Sequence, residues 1–261
     1  MDSEKFLLEA QYVECLRRAN QLEALGHYAE AMRHANQAIR VAPELAGAYY
    51  VRGRLRRLLD STTPMALDQA AFDFRELLRR DPRHAEGWRL LANTTTLRAA
   101  SCSGRARDQL LEDARQAFHE TAKLDPKSSC ALLDLAEVGL CLGRYREAVG
   151  YAASSWSVAS GGHRTVAAWL AGIANGLLGR ESAVRKRHDF LCSSKAAPMS
   201  PARWNIIEVD CYLRSLHDAG GTPDRCMALA VEVHQAFQAL FGRTLPVAAW
   251  QASRPSLTTV H

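Results

Sequence analysis

Apolar residues return at helical intervals along most of the chain, in short amphipathic blocks separated by abrupt breaks. Ala70 and Phe74 stand four apart, as do Ala114 and Phe118, so each pair places one small and one large residue on a single helix face. The breaks are of two kinds. Leu25-Gly26-His27-Tyr28-Ala29-Glu30-Ala31 returns as Leu142-Gly143-Arg144-Tyr145-Arg146-Glu147-Ala148, and more loosely as Leu178-Gly179-Arg180-Glu181-Ser182-Ala183-Val184. In these strings the glycine predicts a left-handed stop to one helix, and the aromatic packs back on that helix. The small residue lets the next helix approach closely. The second kind of break is proline: Pro43, Pro82 and Pro126 each follow directly on an amphipathic block. Proline cannot continue a helix and disfavours helical backbone in the residue before it. The pattern predicts an all-α chain of short helices joined in hairpins.

The two kinds of break keep a common register. Pro43 to Pro82 is 39 residues and Pro82 to Pro126 is 44, five and ten more than a repeat of about 34. Three such repeats with those fifteen extra residues would separate Gly26 from Gly143 by 117 positions, which is the observed spacing. The extras fall at Asp60-Ser61-Thr62-Thr63-Pro64 and Ser101-Cys102-Ser103-Gly104-Arg105, turn-forming stretches between the two helices of a hairpin. With Tyr49 and Trp88 in the aromatic slot of first helices, the chain resembles a tetratricopeptide repeat (TPR) protein. Five repeats are expected, over residues 12–45, 46–84, 85–128, 129–163 and 164–199. Gly161-Gly162-His163 is expected as a loop between the last two. A divergent helical pair follows, its helices opened by Ser200-Pro201 and Thr222-Pro223 as cap and first residue and stopped at Gly242. Domain organisation is thus read as a repeat array with an N-terminal helix extension over 1–199, and a capping pair with a tail over 200–261.

The resemblance implies a right-handed α-solenoid whose first helices line a concave face that holds a peptide or partner helix. It places Leu16, Arg17, Asn20, Glu23 and Ala24 on that face in the first repeat, and Tyr50, Val51, Arg54, Arg57 and Leu58 in the second. Arg89, Leu90, Asn93 and Leu97 follow in the third, then Leu133, Asp134, Glu137 and Cys141, then Trp169, Leu170, Ile173 and Leu177. From this face the candidate peptide-binding residues are Arg17, Asn20, Tyr50, Arg54, Arg57, Arg89, Asn93, Leu133, Glu137, Trp169 and Ile173. Their chemistry divides. Guanidinium groups beside asparagines suit a carboxylate-bearing extended segment, because the planar fork donates paired hydrogen bonds. Trp169, Leu170, Ile173 and Leu177 form an apolar floor suited to a helix, unless the chain's own C-terminal segment, for instance Trp250, folds back into it. The two-carboxylate clamp of chaperone-binding TPR modules matches only at Asn20, with Leu16, Val51, Glu86 and Leu90 in its other positions.

Composition changes little of this. The chain has 261 residues, 48% of them hydrophobic and 23% charged, an ordinary globular balance. Net charge is +5, with eight Arg against five acids in 46–84 and six Lys/Arg against two acids in 164–199. The arginines at 52, 54, 56 and 57 read as a basic helix face that is mostly solvated, and no nucleic-acid signature accompanies them. Seven scattered cysteines without a CxxC pair fit a reducing, cytoplasmic setting. The opening Met1–Lys5 lacks the apolar core of a secretory signal, and no long apolar run predicts a membrane span. Phosphate-loop, dinucleotide, zinc-protease and nucleophile-elbow motifs are all missing, so no enzyme and no cofactor is expected. Two alternatives stay open. One is an accessory or metal-dependent protein using the C-terminal part, with His188 and Cys192 four apart as ligands completed by Cys211, Cys226 or His234. The other is a self-assembling scaffold, a homo-oligomer in which one copy docks in the groove of another.

Overall fold

The computed structural model describes residues 2–193, 195–196, 206–220 and 222–240. Twelve α-helices and no strand occur among them. They form two compact units, 1–126 and 127–261. The first holds α1 (Asp2–Ala24), α2 (Tyr28–Val41), α3 (Gly47–Leu59), α4 (Pro64–Arg80), α5 (Ala85–Ala99) and α6 (Gly104–Leu124). The second holds α7 (Ser129–Cys141), α8 (Tyr145–Val158), α9 (Gly161–Leu177), α10 (Glu181–Leu191), α11 (Ile206–Asp218) and α12 (Asp224–Ala239).

Local chemistry sets these boundaries. Gly26, Gly143 and Gly179 have φ between 70° and 78°, a conformation open to glycine, and turn the first helix of a hairpin into the second. The residue after each closes the turn by donating its backbone N–H to a carbonyl five residues back, as Arg144 does to Gly139 at 2.8 Å. Ala42, Asp81 and Asp125 cap α2, α4 and α6, and proline follows each. The first expected insertion is a built turn. The Asp60 carboxylate accepts from the backbone N–H groups of Thr62 (2.8 Å) and Thr63 (3.0 Å), and Pro64 begins α4.

The first unit is held by small-to-large packing between neighbouring hairpins. Ala19, Ala31 and Ala35 meet Val51 and Leu55; Tyr49, Ala70, Phe74 and Leu77 meet Leu90 and Leu91. Gly53 lets α4 close on α3, since a Cβ there would stand 2.7 Å from the Phe74 ring. In the second unit the interior is concentrated on α7 and α9, where Leu133–Cys141 and Thr165–Leu177 are buried throughout.

Two expected boundaries are corrected. Gly161, Gly162 and His163 are not a loop but the first turn of α9, with Ser160 as N-cap. The N-cap of α12 is Pro223 rather than Thr222, so the helix starts one residue later than the cap-plus-proline reading placed it. Ser200-Pro201, Gly242, Trp250 and the 251–261 tail lie outside the described residues.

Candidate functional site

In the first unit the expected groove residues sit on the first helices α1, α3 and α5, and the structure shows how their charges are used. Arg17 is exposed and paired with Glu14, at 2.7 Å. Hydrogen bonds from Arg17 and Arg18 hold the Glu14 carboxyl down at about 2. Asn20 is exposed one turn further on. Arg54 forms an ion pair with Glu23, and its guanidinium lies 5.1 Å from the Tyr50 ring centroid. Burial acts to lower the Arg54 pKa, but Glu23 and Tyr50 carry it above its ordinary value. The Tyr50 ring in turn meets His84, centroid to centroid at 5.0 Å. Arg89 donates through Nε (2.7 Å) and Nη2 (2.6 Å) to the two carboxylate oxygens of Glu86. Asn93 is half-buried on the same helix.

Arg57 differs from its neighbours. Its Nε is buried and meets no hydrogen-bond acceptor. Burial pushes its pKa down and the like charge of Arg89 adds to this, with Glu86 the opposing carboxylate. The row Tyr50, Arg54, Arg57, Arg89 therefore carries a buried guanidinium nitrogen, Arg57 Nε, that meets no acceptor.

The reading of the 52–57 arginines as mostly solvated is corrected. Arg52 donates through Nη2 to Asp73 Oδ1 at 2.6 Å and through Nη1 to Asn36 at 3.1 Å. Arg56 Nε stands 3.0 Å from Asp73 Oδ2, and Asp73 is wholly buried. These partners lie 16 to 21 residues away in sequence, where no periodicity links them.

In the second unit Leu133, Glu137, Trp169 and Ile173 are interior residues. Of the expected floor, Trp169 packs against α12, in the chain's own C-terminal part. The Trp169 ring stacks on Phe237 with centroids 4.2 Å apart and planes 5° apart, and Trp169 Nε1 donates to His234 Nδ1 at 3.1 Å. A polar cluster unseen in the sequence joins α7 to α9: Ser129 Oγ lies 2.6 Å from His163 Nδ1, and Cys130 Sγ lies 3.5 Å from His163 Nε2.

For the metal alternative, Cys192 Sγ stands 3.9 Å from both ring nitrogens of His188. Both ring nitrogens of His234 are engaged, by Trp169 and by the Gln238 amide, and Cys226 lies against Gly179. Among the described residues no group of three or more His, Cys, Asp or Glu is placed to hold a metal ion. No helix among them is long and apolar enough to cross a membrane.

No protein-family model matches the sequence, and a search of curated proteins finds no match. Solved structures do match. A MamA protein superimposes with a TM-score of 0.57 at 14% identity, over 73% of this chain and 98% of its own. YrrB, described as a TPR protein with an unusual peptide-binding site, gives 0.56 at 15%, over 67% and 81%. The chain has the tetratricopeptide-repeat fold. PilF of Pseudomonas aeruginosa extends the likeness along the molecule, with a TM-score of 0.57 at 14% identity over 95% of this chain and 99% of its own. At these identities the TPR likeness concerns the fold, and the residues on its first helices are this chain's own.

Proposed function

We propose that this TPR protein is a non-catalytic interaction module that holds an extended, acidic segment of a partner protein on the first-helix face of α1, α3 and α5. The observation that carries this reading is Arg57: a guanidinium with a buried Nε lacking an acceptor, beside Arg89 and one turn from Arg54. An unfilled buried donor costs about 1–3 kcal/mol, and a ligand carboxylate at the same part-buried guanidinium would make a charge-assisted bond. Tyr50 supplies an aromatic wall, and Asn20 and Asn93 supply amides able to fix an extended backbone. Arg54 and Arg89 are internally paired, so they shape the face while Arg57 reads the charge. A reducing, cytoplasmic compartment is proposed with it, the setting that seven scattered cysteines without a CxxC pair fit.

The test is a fluorescence titration with acidic peptides from an affinity-selected library against the full chain and its Arg57→Gln variant. Loss of one charge-assisted contact should weaken binding by about 10- to 100-fold. Neutral Asn/Gln versions of the same peptides should show no difference between the two proteins. Equal affinity of the acidic peptides for both would remove Arg57 from the site.

A further inference from the structure

The first turns of α7 and α9 meet in the second unit, and both carry side chains able to do chemistry. Ser128 and Ser160 are the N-caps, which makes Cys130 the second residue of α7 and His163 the third of α9. Cys130 Sγ lies 3.5 Å from His163 Nε2, and Ser129 Oγ lies 2.6 Å from the other ring nitrogen, Nδ1. A ring that donates from Nδ1 to Ser129 keeps Nε2 as the acceptor for the thiol. The order is nucleophile, base and orienting group, in which a base held by a third residue takes the nucleophile's proton. The turn that carries Cys130 is tied to α8, because the buried Ser155 donates its hydroxyl to the Ser129 carbonyl at 3.2 Å.

Two further conditions favour reaction at this thiol. One is access: Ser129, Cys130 and His163 are each half-buried, within reach of a small reagent. The other is charge. The N-terminal ends of two helices, 13 and 17 residues long, converge on the pair, and the partial positive charge there favours a thiolate. Cys192 supplies a contrast in the same unit. It is exposed and also stands near a histidine, His188, at 3.9 Å, but it is the C-cap of α10, at the negative end of its helix. Exposure ranks Cys192 first, whereas field and geometry rank Cys130 first.

We infer that Cys130 is a modification site that exchanges with aliphatic disulfides of the glutathione class, with His163 as its base. The Cys130 proton passes to His163 Nε2, the thiolate attacks one sulfur of the disulfide, and the S–S bond breaks. One half stays on Cys130 as a mixed disulfide. The other leaves as a thiolate and takes the proton from His163. A thiol and a disulfide become a new disulfide and a new thiol, so no further oxidant is needed. The inference is independent of the Arg57 reading, since it concerns other residues in the other unit.

The probe is oxidised glutathione, added to the reduced full-length chain at pH 7, with peptide mass spectrometry following each cysteine over time. Cys130 should be modified about tenfold faster than Cys192. His163→Gln should slow Cys130 at least about tenfold and leave Cys192 as it was. An equal or faster reaction at Cys192 in the wild type overturns the inference, and that comparison needs no variant to fold. An unchanged or raised rate at Cys130 in His163→Gln also overturns it, because access rather than the base would then set the rate.

Discussion

Asp60 shows how one side chain sets a junction. It caps α3 and receives four hydrogen bonds, two from the Thr62 and Thr63 backbone and two from their hydroxyls. Donors converging on the ionised form hold its carboxyl far below the usual carboxylate range. The sign follows from linkage. A folded-state pKa below the unfolded one stabilises the protein above the unfolded value and is lost as pH falls through the folded one. Asp60→Ala should therefore lower the urea midpoint at pH 7, and the gap to wild type should narrow progressively as pH falls below about 4. Urea unfolding across that range measures it; a gap that widens toward acid would contradict the assignment. Arg57 is the opposite case, a group whose burial favours its uncharged form and whose missing partner is the reason to look for a ligand.

Between elements, the α3–α4 contact depends on a charge cluster as well as on Phe74 against Gly53. Asp73 is fully buried between Arg52 and Arg56, which are themselves largely covered. Burial raises its pKa against the pull of the two arginines. Removing one member of such a cluster strands the others, so Asp73→Ala should cost about 3–5 kcal/mol in denaturant unfolding. The double variant Arg52→Met with Asp73→Leu should recover much of that loss. If Asp73→Ala costs less than about 1 kcal/mol, the cluster does not hold the hairpin. This contact also marks where sequence reading stops. Gly26, Gly143 and the three prolines announce hairpin boundaries because each acts on its own backbone. Asp73 and Arg52 act on each other across 21 residues, and neither carries a local mark of the pairing. The same holds for α12: Gly172 and Gly176 look like ordinary small helix residues until Val233 and Ala230 are seen against them. Gly161-Gly162 misled in the other direction. Adjacent glycines usually break a helix, yet here they open α9, where buried Thr165–Leu177 outweighs their low propensity.

Across the molecule, a repeat array draws stability from each hairpin and its neighbour, so position in the stack matters more than residue type. Two phenylalanines of the first unit make the comparison. Phe6 lies in the early turns of α1, ahead of the stretch that packs on α2, and is 69% exposed; Phe74 lies between α3 and α4 and is 0% exposed. Deleting a buried ring forfeits its transfer free energy and leaves a cavity, about 3–5 kcal/mol, while a surface change of the same chemistry stays within about 0.5. The Gly53 ring contact sharpens the case, since the α3 backbone has no side chain at that point to relax into the space. Phe74→Ala should therefore shift the urea midpoint strongly and Phe6→Ala hardly at all, both read by far-UV circular dichroism on the full chain. Comparable losses at the two sites would mean that the early turns of α1 are covered in solution, and would make Phe6, Leu7 and Val13 an interface.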